Sequence, residues 1–164
     1  MRPLLAALVL LIALPGLGAA QERGPVTDLP MPRYVSMKSA EGYARRGPSR
    51  EHRIDWVFVR RDMPLRVVDE YGHWRRVQDR DGAGGWMHYS LLSGNRTVVV
   101  QADEATLRRR PDGTAPAVAH VGRDVVGRLG DCGDGWCELR VEGRKGWVET
   151  SVLWGVAVDE VREE

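Results

Sequence analysis

The sequence predicts an all-β protein made of two small β-barrels in tandem. Gly84 to Gly94 (GGWMHYSLLSG) reappears 61 residues later as Lys145 to Gly155 (KGWVETSVLWG). Between these copies the chain consists of short apolar runs separated by Gly- and Asp-rich turns, a pattern typical of strands rather than helices. Solenoid repeats have periods of roughly 20 to 50 residues. The longer period here therefore predicts two similar domains.

Residues 1–20 have the pattern of a secretory signal peptide. A single charge, Arg2, precedes an apolar run from Leu4 to Leu14, and small residues lead to an expected cleavage site after Ala20. The run is too short for a transmembrane helix and is followed by Pro15. We expect an exported protein, periplasmic in a Gram-negative source and secreted if not retained, with no membrane span after cleavage.

The charge balance argues against nonspecific binding to nucleic acid. Loss of residues 1–20 would remove one of the 24 basic residues and none of the 23 acidic residues, leaving a neutral chain. Residues 21–96 carry four more basic than acidic residues, and residues 97–164 carry four more acidic than basic. This asymmetry either favours docking of one half on the other or reflects solvated surface.

The repeat also predicts the domain boundaries. Residues 21–33 contain three prolines and little apolar content, so we expect an extended leader. Unit 1 is predicted over residues 34–94 and unit 2 over residues 95–155, followed by a charged C-terminal tail at 156–164. Each unit is close to the lower size limit, roughly 60 residues, for an independent apolar core.

Each unit is predicted to contain six short strands. In unit 1 they are Tyr34–Lys38, Gly42–Arg45, Asp55–Arg60, Pro64–Glu70, Trp74–Gln78 and Gly85–His88. In unit 2 they are Thr97–Gln101, Ala105–Arg109, Ala117–Val121, Asp124–Gly130, Trp136–Val141 and Gly146–Glu149. Gly and Asp form the intervening turns, because Gly adopts positive φ and Asp hydrogen-bonds to nearby backbone.

The alternation of inward-facing and outward-facing residues that is typical of a β-strand is clearest over residues 136–141. Cys137, Leu139 and Val141 share the face expected in the core, whereas Trp136, Glu138 and Arg140 share the opposite face. In the repeat alignment Trp74 matches Trp136. We therefore expect both tryptophans to point outward beside a hairpin turn.

Cys132 and Cys137 are predicted to form a structural disulfide. They bracket a tight Gly-Asp-Gly-Trp turn, and an exported protein meets an oxidising compartment. Closing so short a loop stabilises the fold by roughly 2 kcal/mol, a large fraction of the stability of a marginal domain. A nucleophilic cysteine would need an adjacent base and a thiolate-favouring environment, so pairing explains both residues better.

The sequence shows no catalytic or metal-binding pattern, and we expect neither enzymatic activity nor a cofactor. The four histidines fall singly on separate segments, in surface or turn positions: His52, His73, His88 and His120. Asp79 and Asp81 lie in a Gly-rich turn, where hydrogen bonds to nearby backbone explain them.

Three segments of unit 1 resemble a known family. They are residues 43–49 (YARRGPS), Trp74, and residues 85–92 (GWMHYSLL). The first of them is similar to the family's N-V-R-x-G-P-x segment. In unit 2 the matching segments are residues 132–137, 146–148 and 152–155. The chain thus resembles the bacterial SH3-like (SH3b) family, in particular exported two-copy SH3-like proteins, over roughly residues 34–155.

The resemblance implies two tandem small SH3-like β-barrels, each a five-stranded, strongly bent antiparallel barrel. It also implies a short 3₁₀ turn near Tyr89-Ser90 and another near Thr150-Ser151. Family members are commonly binding modules for cell-wall peptide or for proteins, although one fold serves many functions.

The predicted ligand site is an aromatic and arginine-lined groove on unit 1. The candidates are Tyr43, Arg45, Trp56, Trp74, Arg76 and Tyr89, with Trp136 at the matching position of unit 2. Aromatic side chains supply contact area, and Arg45, Arg75 and Arg76 would bind carboxylates, which suits peptidoglycan stem peptides. The expected partner is a protein or a cell-wall peptide. The alternative is a structural or assembly module whose two barrels pack together without a small ligand.

The other tryptophans have structural interpretations. Trp86 and Trp147 each follow a glycine at a strand start and are expected to pack on a barrel edge. Trp56 lies in an alternating strand and is also interpretable as core or as shared between the units. Trp154 ends the second repeat and covers either the seam between units or the end of the barrel.

Overall fold

The computed structural model describes residues 22–157 and 159–163. The predicted signal peptide at residues 1–20 lies outside the described residues. The described chain forms two antiparallel sheets of seven strands each, with two short 3₁₀ turns. The prediction of an all-β, two-unit protein is confirmed.

The two units have the same strand order. Unit 1 contains β1 (Arg33–Met37), β2 (Gly42–Arg45), β3 (Ile54–Phe58), β4 (Pro64–Tyr71), β5 (Trp74–Gln78), β6 (Gly84–His88), a 3₁₀ turn (Tyr89–Leu91) and β7 (Leu92–Ser93). Unit 2 contains β8 (Thr97–Val100), β9 (Glu104–Arg108), β10 (Ala117–Gly122), β11 (Val126–Gly133), β12 (Trp136–Val141), β13 (Arg144–Glu149), a 3₁₀ turn (Thr150–Val152) and β14 (Leu153–Trp154). The sheet orders are β3-β2-β6-β5-β4-β1-β7 and β10-β9-β13-β12-β11-β8-β14.

Each sheet has more strands than the sequence or the resemblance predicts. The additional strand follows the 3₁₀ turn and is only two residues long. In unit 1 Leu92 pairs with Met37, and in unit 2 Leu153 pairs with Val100. Two residues are too few to show alternation, so pairing with the first strand of the same unit defines these elements.

Each unit has its own apolar core. The unit 1 core includes Met37, Leu65 and Met87, and the unit 2 core includes Leu107 and Leu129, all essentially inaccessible to solvent. Two separate cores agree with the interpretation of the repeat as two domains.

The predicted core face of β12 is confirmed, but its outer face differs from expectation. Cys137, Leu139 and Val141 are buried. Glu138, expected to be exposed, is only 5% exposed. Its carboxylate lies 2.6 Å from the ammonium group of Lys145, on the neighbouring strand β13. Lys145 and Arg140, which lies 3.3 Å away, compensate the charge of this buried carboxylate.

The leader is folded rather than extended. Residues 22–31 form a tight turn in which Arg23 and Pro30 form a bridge. The carboxylate of Glu70, on β4, accepts hydrogen bonds from the backbone N–H groups of Val26 (3.2 Å) and Thr27 (2.9 Å) and from the Thr27 hydroxyl (2.8 Å). The expectation failed because the group that shapes the leader lies 43 residues away in sequence.

The two units pack against each other. The rings of Tyr34 (β1) and Trp154 (β14) meet edge to face with centroids 5.4 Å apart, so Trp154 covers the seam. Arg80 of unit 1 pairs with the Asp124 carboxylate of unit 2 at 2.5 Å. The basic half therefore does make a charged docking contact with the acidic half.

Candidate ligand-binding face of unit 1

A row of charged and aromatic residues crosses the outer face of the unit 1 sheet. Arg45 (β2) lies opposite Trp86 (β6), Trp86 lies opposite Arg76 (β5), and Arg76 lies opposite Asp69 (β4). Directly opposed residues share one face of a sheet. This arginine row, Arg45–Trp86–Arg76, places the partly buried Trp86 between two arginine residues of the neighbouring strands.

An aromatic cluster lies beside the arginine row. Trp74 is opposite His88 and packs edge-on against it, with ring centroids 5.6 Å apart. The Tyr89 ring lies 4.9 Å from His88 and 5.6 Å from His73. Trp74 and Arg76 are two residues apart on β5, which puts both on the same side. The aromatic cluster, His73–Trp74–His88–Tyr89, and the arginine row therefore form one continuous face.

Tyr43 extends this face along β2. It precedes Arg45 by two residues, lies opposite Val57 and is 43% exposed. Interaction of its hydroxyl with the Glu41 carboxylate raises the pKa of Tyr43. The phenol therefore stays protonated at neutral pH, with its single hydroxyl proton held by Glu41.

Trp56 lies on the other side of the sheet. Trp56 lies directly opposite the buried Ala44 and therefore faces the same side of the sheet. The β-bulge between Ala44 and Arg45 shifts the β2–β3 register only beyond this pair. Its ring packs edge-on against Phe58 at 6.4 Å, yet Trp56 remains 46% exposed. The structure thus separates Trp56 from the other candidates and leaves it only partly covered by the core.

Arg75 is part of the fold rather than of the face. It is 8% exposed, its Nε lies 3.4 Å from the Glu70 carboxylate, and it donates to the carbonyl groups of Gly72 and Trp74. Arg45 also has a structural bond, since it donates to the His52 carbonyl at 2.7 Å. Arg76, exposed on the face, is the arginine best placed for a ligand.

Unit 2 carries different chemistry at the equivalent positions. Its row runs Arg108–Trp147–Glu138, so a glutamate stands where unit 1 has Arg76. Trp136 is partly buried and lies opposite Glu149, which replaces His88. Since both differences replace a basic or neutral group by an acid, the basic and aromatic face is a property of unit 1.

Burial lowers the pKa of His88, and the positive charges of His73, Arg50 and Arg75 lower it further. A ring that stays neutral at pH 7 is compatible with the 2.7 Å hydrogen bond between His88 Nδ1 and the Ser90 hydroxyl. His88 therefore presents a mainly uncharged aromatic ring at neutral pH. Sequence reasoning missed His73 and His88 because only the β5–β6 pairing brings them together.

A glycine allows β2 and β6 to approach closely enough to form the row. Gly85 has φ of +153°, and a Cβ atom there would lie 2.5 Å from the Arg45 carbonyl oxygen. Any other residue would push the strands apart. The Gly-Trp pair of the repeat thus places Trp86 beside Arg45.

The cysteines and the turn aspartate singled out in the sequence have structural roles. Cys132 and Cys137 form the predicted disulfide, joining β11 to β12. Asp79 accepts hydrogen bonds from the backbone N–H groups of Asp81 and Ala83, as its turn position predicted. Within the described residues, no group of three or more His, Cys, Asp or Glu side chains is arranged to hold a metal ion. Over the same residues, no helix is long and apolar enough to cross a membrane.

The fold and the face define a tandem all-β module with a basic, aromatic surface on one of its units. The bacterial SH3 domain family matches residues 38–94 and 101–155, more than half of the 164-residue chain. The chain therefore belongs to the bacterial SH3 domain family, and both matches lie within the two predicted units.

Similarity beyond the family is remote. No curated protein shows significant sequence similarity to this chain. Among solved structures, NlpC2 from Trichomonas vaginalis is 14% identical, with a TM-score of 0.35 over 75% of this chain and 48% of that one. NlpC1 from the same organism is also 14% identical, with a TM-score of 0.35 over 80% of this chain and 48% of that one. The chain thus spans about half the length of these two proteins.

Proposed function

We propose that this protein is a non-enzymatic, exported binding module that recognises a carboxylate-bearing cell-wall peptide or protein segment. The observation that carries the proposal is the arginine row beside the aromatic cluster on unit 1. Membership in the bacterial SH3 domain family supports a binding role. The disulfide supports export, because such bonds persist in oxidising compartments.

The face suits an extended ligand lying across the strands. Trp74 and Tyr89 offer aromatic surface on which apolar parts of a peptide can pack. Arg76 is exposed and would pair with a ligand carboxylate, with Arg45 on the other side of Trp86 as a second anchor. Stem peptides of peptidoglycan combine carboxylates with short aliphatic side chains and fit this chemistry.

A pull-down of the oxidised protein on purified sacculi tests the proposal, with a periplasmic extract in parallel. We expect saturable retention that falls at least tenfold in Trp74→Ala and in Arg76→Glu, which copies the glutamate of unit 2. Val59→Ala is the matched control, since Val59 is 75% exposed and lies outside the face. Equal retention of all three variants would refute the site.

The packed units favour a second candidate, an assembly module without a small ligand. Tyr34–Trp154 and Arg80–Asp124 join the units directly. In that case Trp74→Ala lowers the melting temperature but leaves every partner bound. A discrete protein captured from the extract without sacculus binding would favour an adaptor role, and hydrolysis of peptidoglycan by the pure protein would overturn both candidates.

A further inference from the structure

Strand β11 is longer than the strand beside it. β11 has eight residues and β8 has four, and their pairing covers Val126–Arg128 of β11. The strand continues to Gly133, so its last residues present backbone groups along the side where β8 has ended. Such an overhang is an edge to which another strand can add.

Residues 159–163, the tail segment, occupy this overhang. Cys132 and Arg162 exchange both backbone hydrogen bonds, with N···O distances of 2.8 and 3.0 Å, as in an antiparallel pair. The Arg162 guanidinium also lies 3.4 Å from the carbonyl oxygens of Leu129 and Gly130. The tail segment is thus a short added strand whose basic residue binds strand carbonyls.

Glu160 fixes the tail segment two residues earlier. Its carboxylate pairs with Arg96 at 2.7 Å, and both side chains are mostly buried. Val161, between Glu160 and Arg162, is 81% exposed. The edge therefore recognises an acidic residue and a basic residue separated by one position, and makes little use of the residue between them.

A cavity of about 520 Å³ extends beyond the tail segment. Its lining includes Pro111 and Trp147, which provide apolar surface, and the acidic residues Asp131 and Asp134. The tail segment forms only one wall of this space. A longer peptide could continue into it, with a basic side chain near Asp134.

The equivalent corner of unit 1 also holds a segment from outside the repeat. β4 extends past its last pair with β1, Val67 with Arg33, and there Glu70 binds the leader. Glu70 and Cys132 are equivalent, since each pairs across its hairpin with the matching residue of the next strand, Arg75 or Cys137. Binding a segment from outside the repeat is thus a recurring use of this corner.

We propose that the β11 edge at Cys132 is a docking site for an extended segment of a partner protein with an acidic-x-basic pattern, occupied in cis by the tail segment until a partner displaces it. The disulfide holds the Cys132 backbone in place before the segment arrives, which reduces the entropy cost of binding. A tethered segment competes at an effective concentration of up to millimolar order. A partner must therefore bind the edge tightly enough, or be concentrated enough, to displace the tethered tail segment.

The test uses the full chain with its disulfide intact and a fluorescent peptide of residues 156–164 as the probe. Arg162→Pro removes the N–H group that donates to Cys132 and should open the edge without touching either core. We expect at least tenfold tighter peptide binding to Arg162→Pro than to wild type. Peptides carrying Arg162→Pro or Glu160→Lys should not bind. Glu160→Lys in the protein is a second way to open the edge, because it breaks the pair with Arg96.

Saturable binding by both opened variants, with a shift of the Cys132 amide resonance on adding peptide, would support the site. Equal peptide affinity for wild type and both variants, or no binding to any of them, would overturn it. Concentration-dependent dimerisation of wild type that depends on Arg162 would identify a second copy as the occupant and would also overturn the proposal of a different partner.

Discussion

Replacing Glu70 by glutamine should destabilise the protein at neutral pH and have little effect in acid. The Glu70 side chain is inaccessible to solvent and lies 2.6 Å from the Arg33 guanidinium. Burial alone would raise its pKa, but the hydrogen bonds from Thr27 and the Arg33 charge outweigh burial and lower the pKa from 4.5 to about 2. That shift corresponds to about 3 kcal/mol of folding free energy.

The pH dependence has a definite sign. Because the pKa of Glu70 is lower in the folded state, its contribution is fully present above about pH 4.5 and is lost as the pH falls towards 2. Urea unfolding followed by tryptophan fluorescence should show Glu70→Gln about 3 kcal/mol less stable than wild type at pH 7, with the difference shrinking steadily below pH 4.5. Glu51→Gln, at an exposed position, is the control and should show no such trend. A Glu70→Gln deficit that is the same at pH 7 and pH 2.5 would refute the reasoning.

Three further predictions concern the fold. Gly85→Ala should lower the free energy of unfolding, measured in urea, by about 2 kcal/mol, because the new Cβ atom would clash with the Arg45 carbonyl oxygen. Gly113→Ala is the control: the space around Gly113 is open, so its free energy of unfolding should hardly change. Replacing both cysteines by serine should cost about 2 kcal/mol, and in wild type both thiols should resist alkylation until reduced. Trp154→Ala should remove the contact with Tyr34 that joins the two units. In calorimetry, a single unfolding transition should then separate into two, one for each unit. A single transition at an unchanged temperature would show that the two units unfold together for another reason.

Local pattern was enough to predict most of the strands. Gly42–Arg45, Trp74–Gln78 and Trp136–Val141 have the predicted bounds because alternation and flanking turns are both present in the sequence. The disulfide was predictable for the same reason, since only the four residues of a tight turn lie between the two cysteines.

The misses all depend on contacts between distant residues. Trp56 was assigned both to the groove and to the core, and only its pairing with the buried Ala44 decides for the core side. The leader takes its shape from Glu70, and the buried Glu138 is paired with Lys145 on the neighbouring strand. The sequence predicted a single groove on unit 1 that includes Tyr43, Arg45, Trp74, Arg76 and Tyr89. Whether these residues bind a ligand remains a prediction.

The equivalence of Glu70–Arg75 and Cys132–Cys137 has a consequence for the order in which the two units mature. An ion pair between Glu70 and Arg75 forms as soon as its hairpin folds, in any redox environment. The Cys132–Cys137 bond needs an oxidant, so unit 2 can be completed only after the chain reaches an oxidising compartment. Unit 1 therefore needs no oxidant at this position, whereas a reducing environment would leave unit 2 without its cross-link and about 2 kcal/mol less stable.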